Sequence, residues 1–355
     1  MLHLQADRIE FTLAQHRLLA RVTGGTVTPR TVRFQLQPGP GLRLRRITEL
    51  AEELALSLGV AQCRVFRDQG GLQLEVPRGE RTPVGLAGLC DGFRTSGTPV
   101  PVCTPVLGLD HNGCPLLLNL PSPDVSHALI AGSTGSGKTE LARTMIASLA
   151  RFNRQSQMQL VLIDPKNRGF TPFHWLPHLL QPVVTEHDGA VAALRDVVEE
   201  MLRRDREGRS LPRIVVFIDE LADLALAAPK ELQALLARVA QRGRQAGIHL
   251  IACTQKPTAE MVGTLVKANF PVRLVGSMAT PEDAKVATGL ARTGAEKLLG
   301  RGDFLAVARG EVTRFQAAYV PEGEIGSFVG LGASGSSTRN LVAFDPVLRL
   351  KHAFK

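Results

Sequence analysis

The run HALIAGSTGSGKTELARTMI, from His127 to Ile146, constrains this chain more than any other stretch. A short apolar strand enters a glycine-rich loop, and a helix leaves it. Gly132 to Thr139, GSTGSGKT, satisfies GxxxxGK[ST] in the setting that gives the pattern meaning, strand before and helix after. Gly132, Ser133, Thr134, Gly135, Ser136 and Gly137 are expected to curl backbone N–H groups around phosphates, aided by the positive end of the following helix. Lys138 is expected to reach the β- and γ-phosphates, and Thr139 to ligate Mg²⁺. A glycine loop used only as a turn would leave the Lys-Thr pair without a purpose. ATP and Mg²⁺ are the expected ligands.

The pattern around the loop is α/β. QLVLID, RIVVFIDE and IHLIACTQ read as further strands, and the helical runs DGAVAALRDVVEEMLRRDREG and PKELQALLARVAQRGRQAG lie between them. Apolar strands alternating with helices predict a mostly parallel sheet covered on both faces. Upstream, residues 5 to about 20 suggest a helix. TVRFQLQ alternates as a strand, RITELAEELALSLG has helical spacing ended by Gly59, and CRVFRDQGGLQLEVP reads as a hairpin turning at Gly70-Gly71. The expected organisation is a small α+β domain over 1–110, a motor domain over 111–320, and a flexible linker with a basic tail over 321–355.

Composition narrows the class. With 44% hydrophobic and 21% charged residues the chain is an ordinary globular one. Its longest apolar runs are strand-sized, far short of the roughly 20 residues a membrane span needs. No signal peptide is visible in MLHLQADRIEF, and the five cysteines form no CxxC pair. These features suggest a reducing cytoplasm and no zinc site. The net charge of +9 leans toward an anionic partner.

RIVVFIDELADL carries two carboxylates to the end of a buried strand. Asp219 is expected to hold the Mg²⁺ shell and Glu220 to polarise the attacking water, which makes the chain an ATPase rather than a nucleotide binder. Gln255, ending IACTQ, fits a γ-phosphate sensor or a satisfied loop amide. Arg244, in AQRGRQAG, fits an arginine finger aimed at a neighbouring subunit or a solvated helix-end charge. His174 and His178 are four apart, but Pro177 between them argues for ordinary loop histidines, and Trp175 reads as a core anchor.

IDPKNRGF…LPHLL, FIDELADL, RVAQRGRQAGIHLIACTQKPT, LVKANFPVRL and GAEKLLGRGDFL together resemble the motor region of FtsK/SpoIIIE DNA translocases. RFQLQPGPGLRLRRITELAEELALSLG is similar to that family's α subdomain. The resemblance spans about residues 25–320. It implies a RecA-like P-loop NTPase that assembles as a hexameric ring and threads double-stranded DNA, with Arg244 the trans-acting finger and Gln255 the sensor. It maps DNA contacts onto Lys267 and Lys285, with Pro281 where the family has a lysine and acidic Glu282 and Asp283 beside it, so the channel charge is thinned; Arg273 nearby fits a further contact or a structural strand residue. Two family parts are not expected here, a membrane anchor and a winged-helix γ domain, so a partner protein would supply loading or orientation. A conjugative or mobile-element transfer motor would use the same residues. Type VII protein-secretion ATPases resemble the same family, although they string several motors together. A non-hydrolysing ring component is a third option, against which the intact Lys138, Thr139, Asp219 and Glu220 speak.

Overall fold

The computed structural model describes residues 2–28, 31–42, 44–60, 62–68, 71–78, 83–227, 229–255 and 269–330 of the 355. They form two compact units that part between Pro83 and Val84. The first contains α1 (Leu2–Gln15), β1 (Ala20–Val27), β2 (Thr31–Pro38), α2 (Leu44–Glu49), α3 (Ala51–Leu58), β3 (Arg64–Asp68) and β4 (Gly71–Pro77). Its antiparallel sheet has the order β1-β2-β4-β3. Ile9 and Leu13 of α1, Ile47, Leu54, and the alternating Phe34, Leu36, Leu72, Leu74 and Val76 make its core. The predicted hairpin is present, with Asp68 opposite Gly71. The first helix stops at Gln15, earlier than expected, because Ala20 already pairs in β1. Gly25 hid that strand; a Cβ there would lie 2.8 Å from the Arg33 carbonyl of β2. The single helix expected over residues 46–58 is two, parted at Leu50, where φ is −91° and ψ 16°.

The second unit begins with β5 (Val84–Gly85), α4 (Leu86–Thr95), β6 (Val106–Asp110) and β7 (Pro115–Leu117). Next come β8 (Ala128–Ala131), α5 (Lys138–Phe152), β9 (Met158–Ile163), α6 (His187–Glu207), β10 (Arg213–Ile218), α7 (Leu221–Ala227), α8 (Pro229–Arg242) and β11 (Ile248–Thr254). It closes with β12 (Val272–Val275), α9 (Pro281–Thr288), β13 (Asp303–Ala308), β14 (Glu311–Tyr319) and α10 (Ile325–Val329). One sheet runs β7-β6-β14-β13-β12-β8-β11-β10-β9, with β5 beside β14. Strands β12, β8, β11, β10 and β9 are mutually parallel, whereas β13, β14, β6 and β7 pair antiparallel. The expected parallel sheet is the β12-β8-β11-β10-β9 part, and antiparallel strands extend it into a mixed one.

Two predicted boundaries move. The first was set at residue 110, but β6 pairs with β14, Asp110 opposite Phe315, so residues 84–110 belong to the larger unit. The linker was set to start at 321, yet Ile325 is buried and packs with the α5 core. The remainder of that segment, 331–355, lies outside the described residues.

Alternation along the parallel strands divides the core. Ile130, Leu160, Leu162, Phe217, Ile251 and Cys253 face α5 with Leu141, Met145 and Leu149. Leu129, Val161, Val216, Ile218, Leu250 and Ala252 face α6 and α8 with Leu194, Met201, Leu236 and Val239. Two buried histidines stitch the foot of β8 to β11: the Leu250 N–H donates to His127 Nδ1 (3.0 Å), and His249 Nδ1 donates to the Ser126 carbonyl (3.0 Å). Burial holds their pKa values down, His127 to about 4 and His249 to about 3, from 6.5. The unfolded chain thus takes up protons that the folded one refuses, and the stability present above pH 6.5 is lost as pH falls toward those values. Between pH 7.5 and 5.5 the two groups are expected to cost about 2–3 kcal/mol. Urea unfolding at a series of pH values checks this, with His249→Asn expected to roughly halve the slope.

Candidate functional site

Parallel pairing brings the carboxyl ends of β12, β8, β11 and β10 side by side, the usual place for a ligand in such sheets. The glycine loop leaves β8 at this crest and is held from several sides. The Gly132 N–H donates to the Thr254 carbonyl (3.2 Å), and the Ser133 N–H and hydroxyl both donate to the Ser277 carbonyl (2.9 and 2.7 Å). From the other side, the Arg301 and Gly302 N–H groups donate to the carbonyls of Gly135 (2.9 Å) and Ser136 (2.8 Å). Gly137 precedes α5 at φ 97°, and a Cβ there would lie 2.8 Å from the Gly302 nitrogen. Only glycine has both that conformation and that clearance. The Ser136 hydroxyl is fully buried inside the loop and has no hydrogen-bond partner among the described residues.

Lys138, the first residue of α5, donates from Nζ to the Asp219 carbonyl (2.7 Å) and lies 3.6 Å from Asp219 Oδ1 and 3.8 Å from Glu220 Oε2. The Thr139 hydroxyl donates to Asp219 Oδ1 (3.3 Å). Glu220 is 2% exposed; Oε1 accepts from the Gln255 N–H (3.1 Å), while buried Oε2 has no hydrogen bond among the described residues. The Gln255 side chain in turn accepts from the Thr134 hydroxyl (3.4 Å). The structure therefore brings the loop, Lys138, Thr139, Asp219, Glu220 and Gln255 into one site. A hydroxyl and a carboxylate oxygen side by side are the hard donors that suit Mg²⁺, and the buried Ser136 hydroxyl fits a cradle for phosphate oxygens. Cys253, beneath the site, stays a neutral thiol because burial pushes its pKa up.

A loop that sequence reading gave no role covers the carboxylates. Asp164, at the end of β9, accepts through Oδ2 from the Gly169 and Phe170 N–H groups (2.8 and 3.0 Å). Gly169 sits on Asp219, with a Cβ there 3.0 Å from its Cγ. Lys166 pairs with Asp223 (2.9 Å), lies 4.0 Å from Glu220 Oε2, and has its pKa raised chiefly by the bond to Asp223. Arg143 and the strap Leu299–Asp303 were also missed. Asp303 shapes the strap, accepting from the Leu299 N–H and from Arg314 through both oxygens. For Arg143 the available signal was weak, a single arginine in a helix whose neighbours Leu141, Ala142, Met145 and Ile146 are apolar and buried.

Other sequence candidates lie apart. Arg244 is exposed in the turn before β11, at the opposite end of that strand from Gln255. Six residue steps of about 3.3 Å separate the strand's ends by about 20 Å. Arg273 lies half-buried in β12; its Nη1 occupies the space where a Cβ on Gly289 would sit, and desolvation lowers its pKa. That packing between β12 and the end of α9 favours the structural of the two roles its sequence position leaves open. Lys285 is exposed on α9. Pro281 opens that helix beside the Thr280 cap, and Glu282 and Asp283 complement its N-terminal dipole, so the residues that thin the charge here build a capped helix start. Lys267 lies outside the described residues. His178 bonds the Asn153 carbonyl and His174 the Thr171 carbonyl; neither belongs to a cluster of metal ligands among the described residues.

The profile of the FtsK/SpoIIIE family matches residues 97–207 and 203–259, and that of the FtsK alpha domain matches residues 1–78. The DNA translocase SftA of Bacillus subtilis (strain 168) is 37% identical over 349 residues, covering 90% of this chain and 36% of the relative. The DNA translocase FtsK of Caldanaerobacter subterraneus subsp. tengcongensis is 35% identical over 349 residues, covering 92% of this chain and 48% of the relative. The chain thus spans less than half the length of these curated relatives. Among solved structures, the pCW3 conjugation coupling protein TcpA, in a monomer form with ATPγS, superposes with a TM-score of 0.61 at 18% identity, over 92% of this chain and 99% of that one. The cytoplasmic domain of the Thermomonospora curvata type VII secretion ATPase EccC gives 0.55 at 23% identity, over 67% of this chain and 32% of that one. These two likenesses concern the P-loop ATPase fold alone. No helix among the described residues is long and apolar enough to cross a membrane.

The loop geometry generates one direct test. Gly137→Ala combines a strained φ with a clash against Gly302, so affinity for a fluorescent ATP analogue should fall at least about tenfold while the far-UV circular dichroism spectrum is unchanged.

Proposed function

The chain belongs to the FtsK/SpoIIIE family, and from that premise we propose that it hydrolyses ATP to move double-stranded DNA. The observation that supports the hydrolytic half is the convergence of the glycine loop, Lys138, Asp219 and Glu220 at adjacent strand ends. Lys138 and the loop amides, Gly132 to Gly137, bind and orient the phosphates. Thr139 and Asp219 would hold Mg²⁺, which when bound neutralises charge on the β- and γ-phosphate oxygens. Glu220 is the general base: its Oε2, without a hydrogen bond among the described residues and 3.8 Å from Lys138 Nζ, orients a water and takes its proton as the γ-phosphate departs. Gln255 links the Glu220 carboxylate to Thr134 of the loop, so it reports whether the γ-phosphate is in place.

Arg244 cannot reach its own site across a strand about 20 Å long. Exposed as it is, it serves a neighbour's ATP in a head-to-tail ring, which for this family reading is a hexamer. Lys267 and Lys285 are the candidate DNA contacts; phosphate contacts carry no base information, which suits a motor that runs over any duplex. The cytoplasm is the expected compartment. The fold alone would serve a transfer or secretion motor, but no feature of this site favours either.

The deciding measurement is ATPase rate without polymer, with single-stranded DNA and with linear duplex. Stimulation of about fivefold or more by duplex alone is expected, and none would overturn the DNA reading. Glu220→Gln should retain ATP binding and lower turnover by about 10²–10⁴. Mixing Glu220→Gln with Arg244→Ala subunits should restore measurable turnover, because a site with its own glutamate then receives its neighbour's arginine. Failure to complement would remove Arg244 from that role.

A further inference from the structure

Arg143 lies one turn beyond Thr139 on α5, its side chain only 11% exposed. An arginine buried among apolar side chains is costly unless its N–H groups are satisfied. Here they are spread over three chain segments. Nε donates to the Gly169 carbonyl (2.6 Å) and Nη2 to the Arg168 carbonyl (2.8 Å). Nη1 meets Glu140 and Glu322, each at 3.1 Å. The first two acceptors belong to the loop that Asp164 grips by its N–H groups from the other side. Gly169 touches the Asp219 carboxylate, and Lys166 of the same loop stands between Asp223 and Glu220.

From this geometry we infer that Arg143 is a positioning residue for hydrolysis, acting through the 164–170 loop on Asp219 and Glu220. The inference rests on the ATPase reading above and deepens it. Asp164 fixes the N–H side of the loop's last turn, and Arg143 fixes its carbonyl side. With only one side fixed, the Gly169 peptide can rotate away from Asp219 and carry Lys166 off Glu220. A lysine at 143 is a single point charge and cannot satisfy two carbonyls and two carboxylates in one plane. Glu322, on the segment after β14, adds an exposed partner of smaller weight. It also ties the loop to the chain leaving the last strand.

The test compares the full chain with Arg143→Gln and Arg143→Lys by hydrogen exchange, Mg²⁺ titration and kinetics. In Arg143→Gln the Gly169 and Phe170 amides should exchange at least tenfold faster, with the amides of β10 unchanged. The Mg²⁺ concentration needed to bind a fluorescent ATP analogue tightly should rise about five- to tenfold. The kcat should fall about 10- to 100-fold while KM for ATP stays within about threefold, and Arg143→Lys should lie between. Unchanged exchange, or faster exchange with unaltered Mg²⁺ dependence and kcat, would overturn the inference. Should Arg143→Gln fail to fold, Arg143→Lys alone decides by the same readouts. An inactive parent protein would sink the ATPase reading, and the exchange and Mg²⁺ arms would still decide whether Arg143 positions Asp219.

Discussion

Parallel pairing of β8 with β11, and of β11 with β10, is the constraint from which the site follows. Ala131 lies opposite Thr254, and Ile218 opposite Ala252, so the next residues along each strand emerge almost level. That register puts Gly132 against Thr254 and Gln255 against Glu220, and it lets Lys138 cross to the Asp219 carbonyl. A shift of one residue in either pairing would turn alternate side chains to the wrong face and separate the carboxylates from the loop. The apolar runs flanking the crest hold that register, because every residue of β8 and β11 is buried and each face has its own helix partners.

The antiparallel half of the sheet supports the loop from the other side. Backbone carbonyls of a phosphate-type loop must be satisfied away from the ligand so that its N–H groups stay free for anions. Here the strap Leu299–Asp303 supplies N–H donors to Gly135 and Ser136. The strap is shaped by Asp303, which is 1% exposed and bidentate with Arg314 on β14. Gly302 also accepts the Ala317 N–H from the same strand. The β13–β14 hairpin, next to β12 in the sheet, thus supports the phosphate cradle through the Gly302 peptide.

Local chemistry was legible in the sequence, and long-range buttressing was not. Gly132 to Thr139 stood out as a glycine motif between strand and helix and the carboxylates as charges ending the apolar run of β10, while Gln255 left a sensor and a satisfied loop amide open until its bonds to Glu220 and Thr134 were located. Strands β6 and β7 were not legible because both are short, and β6 finds its second partner about two hundred residues later, in β14. The expected break at 110 failed for the same reason. Arg143 escaped notice since a charge at one helical position reads as a solvated face until its acceptors, Arg168 and Gly169, are located. For Arg273 the sequence left a DNA contact and a structural strand residue open, and Gly289, sixteen positions away, provides the space that takes its guanidinium in.

Strand β11 joins two ends of the proposed cycle. Its carboxyl end delivers Gln255 to Glu220, and its amino end begins at the turn that carries Arg244. That turn is tightly built: the Ile248 N–H donates to the Gly243 carbonyl (2.7 Å), and Gly243 packs so close to Val239 that a side chain would not fit. Buried Arg204 of α6 clamps the same turn through the Ala246 carbonyl (3.0 Å) while also holding Pro212 at the entry to β10. A strand buried along its whole length and pinned at its base transmits displacement rather than absorbing it. If Gln255 responds to the γ-phosphate in one subunit, the element that moves with it also carries the arginine offered to the next. In the proposed ring, Gln255 and Arg244 would flank the two ends of one strand, and sequential firing would then require no separate relay.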